Sequence, residues 1–292
     1  MCKKPVRIFK NLDSNKYPMG LLVPCGKCLD CRIHKRNEWS VRLLHESEFW
    51  ENSIFLTLTY DDYHLPENNS LRKRHLQLFF KRLRKNTGKK IKYFACGEYG
   101  DNTERPHYHS IVFGLGYNDI EDIKLAWTYC NWDIPTISNK SFGKVEPDSI
   151  RYVCQYIDKK LSGEKADEEY DNKKREPVFK IQSNGLSLKY IEKYKDGIFQ
   201  RSYITVNGNK RSIPRYYINK AEIDNNEMHE YAEKKERELT EHLLGVYLSL
   251  DEAYLSMRSD DYLLLEERLK DCRLQNDKNL SKRLKLKSRN LL

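Results

Sequence analysis

Two β-forming runs, 91–98 and 107–113, flank a turn containing Gly100, Asp101, Asn102 and Thr103. Strands joined so closely run antiparallel, because a parallel pair needs a crossover of a dozen residues or more. A doubly wound parallel sheet is therefore excluded. Further elements gather around this hairpin. The run 54–60 is rich in β-formers and bounded by polar residues, which predicts another strand. Trp39 and Leu43 stand four apart on a predicted helix over 32–50 that also carries Arg32, Lys35, Arg36 and Arg42. Ser70 is placed to cap a helix over 71–86 with Leu76, Phe79, Phe80 and Leu83 as its buried stripe. Ile120, Ile123 and Trp127 space as a further helix. A short strand near 142–146 follows, then a helix opening after Asp148 or Ser149. The expected architecture is α+β, an antiparallel sheet with one face covered by helices.

Residues 1–31 read as a loop-rich N-terminal arm, with Pro5, Pro18, Gly20, Pro24 and Gly26. Residues 32–220 hold the main domain, interrupted by a charged, turn-rich stretch at 162–180 that reads as a mobile insertion. Residues 221–292 read as a helical C-terminal region, with Leu239, Leu243, Leu244, Val246, Tyr247 and Leu250 as an apolar face. Its tail carries Lys278, Lys282, Arg283, Lys285, Lys287 and Arg289, with no acid after Asp277. Such a run is first a solvated helix face and only second a non-specific phosphate contact.

No apolar run approaches the ~20 residues that span a bilayer. No apolar signal segment follows Met1-Cys2-Lys3-Lys4-Pro5. The expectation is a soluble, unsecreted protein with no membrane partner. Lys and Arg number 53 against 43 acids. A net of +10 favours a polyanionic partner, since each neutralised phosphate releases a counterion.

The chemistry concentrates in Arg105-Pro-His-Tyr-His109. Residues two apart on a strand face the same way, so His107 and His109 can reach one ion while Tyr108 points to the opposite face. Alone, the pair would suit any half-wet sheet face. Glu98, at the end of the preceding strand, sharpens the reading because antiparallel pairing can bring it beside both histidines. Two imidazoles and a carboxylate with open positions suit Mg²⁺ or Mn²⁺, with zinc as a further choice.

The second element runs from Arg151 to Leu161. On a helix, Ile150, Val153, Cys154, Ile157 and Leu161 share one stripe, while Tyr152, Tyr156, Lys159 and Lys160 fall on roughly the opposite side. Two tyrosines four apart are neighbours on successive turns. A phenol with pKa near 10 needs about 4 kcal/mol to ionise at neutral pH. An ammonium such as Lys159 lowers that cost, and a metal on the phosphate oxygens makes phosphorus easier to attack. Exposed surface tyrosines are the plain alternative.

Taken in order, Phe55-Leu-Thr-Leu-Thr-Tyr60, Gly97-Glu98-Tyr99-Gly100, Arg105-Pro-His-Tyr-His109 and Tyr152-x3-Tyr156-x2-Lys159 resemble the HUH endonuclease superfamily. The likeness is strongest to the replication initiators of gokushovirus-type microviruses, small single-stranded DNA phages. It covers about residues 1–220, including Pro24-Cys-Gly-Lys-Cys28 and Pro214-Arg-Tyr-Tyr217. It implies a ferredoxin-like antiparallel sheet with His107 and His109 on a central strand. Glu98 would be the third metal ligand, and Tyr156 or Tyr152 the nucleophile, assisted by Lys159. The implied activity is a metal-dependent nick in one strand of origin DNA, leaving a 5′-phosphotyrosine and a 3′-OH for rolling-circle replication, with later religation. The setting would be the host bacterial cytoplasm. No Gly-x4-Gly-Lys-Ser/Thr phosphate loop occurs in the sequence, so unwinding and synthesis would fall to a host helicase and polymerase.

Cys25, Cys28 and Cys31 recur with two residues between each pair. In an unsecreted chain such bunching points to metal rather than disulfides. Structural zinc is favoured over reduced thiols, with Cys2 or His34 as the fourth ligand. The rhythm also echoes an iron–sulfur site but lacks its usual Cys-Pro. Two functions compete with nicking: a zinc-dependent nucleic-acid-binding regulator that does not cleave, and a metal-dependent hydrolase of some other phosphodiester.

Overall fold

The structure, a computed structural model, describes residues 6–9, 21–157, 166–201, 203–206 and 208–221, with isolated positions beyond. Cys2, Lys159 and nearly all of the expected C-terminal helical region lie outside the described residues. The arm is more regular than its composition suggests, for β1 (Val6–Ile8) and β2 (Leu21–Val23) pair antiparallel. The first helix, α1 (Leu29–Ser47), starts three residues before the expected boundary, directly after the extended Cys28, and ends short of 50.

Strand β3 (Ser53–Thr59) leads to α2 (Lys73–Thr87), β4 (Lys92–Tyr99) and β5 (Pro106–Phe113). Then come α3 (Ile120–Ala126), α4 (Pro135–Ser138), β6 (Phe142–Lys144) and α5 (Pro147–Gln155). After a helical turn at Asp167–Asp171, β7 (Phe179–Gln182), α6 (Leu188–Arg201), β8 (Ile204–Val206), β9 (Asn209–Arg211) and α7 (Arg215–Lys220) complete the described chain. The main sheet has five strands in the order β6-β3-β5-β4-β7, and every neighbouring pair is antiparallel. The histidine strand β5 is therefore central, and the architecture is α+β as expected.

Helices cover both faces of the sheet, where the sequence suggested one. On one face Ile54, Leu56 and Leu58 pack with Phe79, Phe80 and Trp127 from α2 and the α3 end. On the other, Phe94, Ile111 and Phe113 pack with Trp39 and Leu43 of α1 and Ile150, Val153 and Cys154 of α5. Alternation along β3 explains the division, with Ile54, Leu56 and Leu58 fully buried and the residues between them turned to the second face. Tyr108 does turn away from the histidines. Its hydroxyl lies 2.8 Å from that of Tyr60 and accepts the Arg72 N–H at 2.7 Å, so its role is to tie α2 to the sheet.

Ser70 is not the cap of α2. The cap position is Arg72, and Ser70 is buried, donating to the Leu71 carbonyl and accepting the Glu176 N–H at 2.9 Å. That contact reflects a larger difference. The described part of the expected insertion, 166–180, is packed: Tyr170 and Val178 are buried, and Phe179 opens the edge strand. Alternation of Phe179 and Ile181 toward the first core face gives this short charged stretch enough apolar contact to hold a strand.

Candidate active site and cysteine cluster

The β4–β5 hairpin sets the register of the site. Glu98 pairs with His107, Cys96 with His109, and across β5 Thr57 pairs with His109. The two imidazoles are parallel within 2°, with ring centroids 6.5 Å apart. His109 and Glu98 are both buried, and His109 Nε2 lies 3.0 Å from Glu98 Oε1. Its other nitrogen, Nδ1, is 3.1 Å from Thr57 Oγ1, so both edges of the ring are held. His107 Nδ1 lies 2.7 Å from the Arg105 carbonyl. A carbonyl only accepts, so Nδ1 carries the proton and Nε2 keeps its lone pair for a ligand. Burial lowers the His107 pKa, which favours that neutral, ligating form.

The hairpin turn is shaped for this ring. A Cβ on Gly100 would sit 3.1 Å from His107 Cε1 and 3.3 Å from Thr103 Oγ1. The turn closes with Glu104 in left-handed backbone, φ 51°, and with Gly100 donating its N–H to Arg105 O at 3.0 Å. Arg105 is itself anchored, donating to Asp62 at 2.6 Å and to the Tyr60 carbonyl at 3.1 Å.

Helix α5 brings the phenols to this patch. Its first turn is set by Pro147 and by a reciprocal cap in which Glu146 N–H donates to Ser149 Oγ at 2.8 Å. The helix ends at Gln155, with Tyr156 at the C-cap, rather than continuing to 161. The tyrosine side of α5 was expected to point away from the core, yet Tyr156 is buried. The helix lies between α1 and β5, so both of its sides are covered. Tyr156 stacks on His109 with centroids 4.9 Å apart and planes within 6°. Tyr152, part exposed, meets His109 edge-on at 5.2 Å and Tyr156 at 5.3 Å. Burial, then the hydrogen bond with Tyr152 and the charge of Glu98, holds the Tyr156 phenol far above its ordinary range.

Glu98, His107, His109, Tyr152 and Tyr156 thus share one patch. The three ligand candidates are not drawn equally close: Glu98 and His109 form the tight pair, and His107 stands farther off. Among the described residues the trio whose donor atoms all lie within 4.8 Å of one another is Cys25, Cys28 and Cys31. The sulfurs of Cys25 and Cys31 are 4.0 Å apart. His34, a candidate fourth ligand, lies on the exposed side of α1, its Nε2 4.0 Å from Glu38.

A cation that the sequence reading missed stands beside the site. Lys180 on β7 pairs with Cys96, which pairs with His109, placing the lysine in the same sheet row. Adjacent strands are about 4.8 Å apart, so it stands roughly 10 Å from the His109 backbone. Its ammonium lies 4.5 Å from the Trp39 ring centre. The Phe179/Ile181 alternation was the signal that could have revealed this strand.

Fold and site together define a class: an α+β protein whose central antiparallel strand presents a His-x-His pair, beside a carboxylate, to two tyrosines. Residues 53–161, which contain all of these groups, match the family of replication-associated proteins of the ORF2 type. The chain is 35% identical over 236 residues to replication-associated protein VP4 of Bdellovibrio phage phiMH2K, covering 72% of this chain and 70% of that one. It is 34% identical over 231 residues to replication-associated protein ORF2 of Spiroplasma virus 4, covering 72% and 71%. To replication-associated protein ORF4 of Chlamydia phage 1 it is 34% identical over 212 residues, covering 67% and 52%. The protein belongs to this family of phage replication-associated proteins. No solved structure matches the chain.

Proposed function

We propose that the protein initiates rolling-circle replication by nicking one DNA strand with Tyr156, within a ferredoxin-like domain of HUH type. The observation that carries the reading is the Tyr156 ring stacked on His109 while the same imidazole touches Glu98 at 3.0 Å. One ligand set and one nucleophile thereby meet at a single point.

The residues fit a divalent cation. Two neighbouring ligands of an octahedral ion at about 2.1 Å lie roughly 3 Å apart, close to the His109–Glu98 separation. Mg²⁺ or Mn²⁺ held by Glu98, His107 and His109 would offset the carboxylate's charge and polarise the scissile phosphate. His107 contributes Nε2, freed by the Arg105 carbonyl at its other nitrogen. Thr57 and Tyr156 fix the plane of His109. Tyr156 holds its proton until substrate is present, which guards the phenol from idle reaction. In the transfer Oη bonds to phosphorus as the bond from phosphorus to the 3′ oxygen breaks. The proton lost by the phenol is balanced by the one gained at the 3′-OH. Because the phosphotyrosine bond retains the energy of the broken ester, the 3′-OH can later attack it and reseal the strand. Tyr152, one turn away, serves a second cut while Tyr156 is loaded.

A host helicase and polymerase in the bacterial cytoplasm would provide unwinding and synthesis. No described helix is long and apolar enough to cross a membrane. The test is a denaturing gel after incubating the full chain with Mn²⁺ and labelled single-stranded origin DNA. Label should move with the protein, and EDTA should prevent it. Two free ends would point instead to a phosphodiester hydrolase. Intact DNA under every divalent metal would point to a zinc-dependent binding regulator.

A further inference from the structure

The turn Cys25-Gly26-Lys27-Cys28 is built to hold sulfurs together. Gly26 takes φ +72°, a backbone that favours glycine, and this lets Cys28 donate its N–H to Cys25 Sγ at 3.3 Å. Cys28 then caps α1, and Cys31 falls in its first turn. The positive end of a helix favours thiolate over thiol there. Thiolates at about 2.3 Å from a tetrahedral zinc lie roughly 3.8 Å apart. The Cys25–Cys31 separation of 4.0 Å is near that value.

The same turn forms a wall of a groove of about 640 Å³ that reaches Tyr156. Lys27, Arg32, Lys35, Lys73 and Lys180 line it, and no carboxylate does among the described residues. Two of these cations are tied to the cysteines by sequence: Lys27 lies between Cys25 and Cys28, and Arg32 follows Cys31. Crowding of positive charge is visible at Lys180, whose pKa is pushed down to about 8 by burial and by Lys35 and Arg42. A polyanion laid in the groove would relieve it.

We propose that Cys25, Cys28 and Cys31 bind zinc, and that this metal holds Lys27, Arg32 and Lys35 in the groove as phosphate contacts for the single strand leading to Tyr156. On binding, the three thiols release their protons to solvent. The metal acts on strand affinity and is separate from the one at Glu98. The identity of the strand as substrate rests on the nicking reading, while the metal site stands without it.

The test measures zinc per chain by plasma mass spectrometry, and affinity for single-stranded oligo-dT by fluorescence anisotropy across a salt series. Wild type should carry one zinc. Cys28→Ser should lose it and bind the strand at least ten-fold more weakly. The double variant Lys27→Gln/Lys35→Gln should keep its zinc, bind comparably weakly, and show a log–log salt slope shallower by roughly 1.4, about 0.7 for each contact. If Cys28→Ser does not fold, wild type stripped by a zinc chelator takes its place. Zinc absent from wild type overturns the proposal. So does wild-type affinity and slope in the double variant, or wild-type affinity after zinc is lost. Tyr156→Phe separates the two readings: it should keep zinc and strand affinity, whereas failure of wild type to form an adduct would count against nicking alone.

Discussion

The imidazole of His109 and the phenol ring of Tyr156 lie face to face, 4.9 Å between centroids. The contact joins the central strand to the end of α5 and places a potential nucleophile against a potential ligand. Because His109 also touches Glu98 and Thr57, a change at any of the four is felt by the others.

Removing only the phenolic oxygen separates chemistry from packing. Tyr156→Phe keeps the stacked ring, so urea unfolding should shift by no more than about 1 kcal/mol, the usual worth of one hydrogen bond. Strand cleavage should vanish. Tyr152→Phe should retain a first cut and lose the second, as read by single-turnover and multiple-turnover assays on the same oligonucleotide.

The ligand residues should uncouple binding from cutting. His107→Ala and His109→Ala should lower cleavage at least a hundred-fold while DNA affinity stays within a few-fold, since phosphate contacts dominate binding. Glu98→Gln should behave likewise and raise the Mn²⁺ concentration needed for half activity. Anisotropy and cleavage measured on one preparation decide it, and parallel loss of both would mark the histidines as structural.

Gly100 offers a test of geometry alone. The Cβ of Gly100→Ala would press on His107 Cε1 at 3.1 Å, displacing the ring without removing any ligand. We expect roughly a ten-fold fall in cleavage with less than about 1 kcal/mol lost in stability. Cleavage at the wild-type rate would show that the position of His107 is unimportant.

Acid sensitivity should come partly from a histidine outside the site. His45 on α1 is buried, stacked 3.5 Å from Tyr190 and 2.8 Å from the Tyr217 hydroxyl, and burial pushes its pKa down to about 4. The unfolded chain takes up that proton near pH 6.5, so its contribution is present above that value and is lost as pH falls toward 4. The loss reaches about 3 kcal/mol. Urea midpoints at pH 7 and pH 5 should differ less in His45→Gln than in wild type.

What the sequence disclosed divides along physical lines. The β4–β5 hairpin was legible because a short turn dictates antiparallel pairing, and the two-residue period then puts Glu98 opposite His107. The central position of β5 came only through family resemblance, since strand order depends on contacts far apart in the chain. The end of α5 was hidden, because Tyr156-Ile-Asp-Lys still reads as helix. Tyr156 was misjudged as outward-facing because periodicity names the most apolar stripe and is blind to a helix covered on two sides. Strand β7 and Lys180 were concealed in a stretch whose charge outweighed its short apolar alternation.

Intact-mass spectrometry of the full chain, after reaction with a single-stranded origin oligonucleotide and Mn²⁺, reads the central claim without inference from rates. The expected spectrum shows protein heavier by the 3′ portion of the oligonucleotide with its 5′ phosphate, the extra mass mapping to Tyr156, together with a free 3′-hydroxyl fragment. Cleaved DNA beside protein of unchanged mass would contradict it.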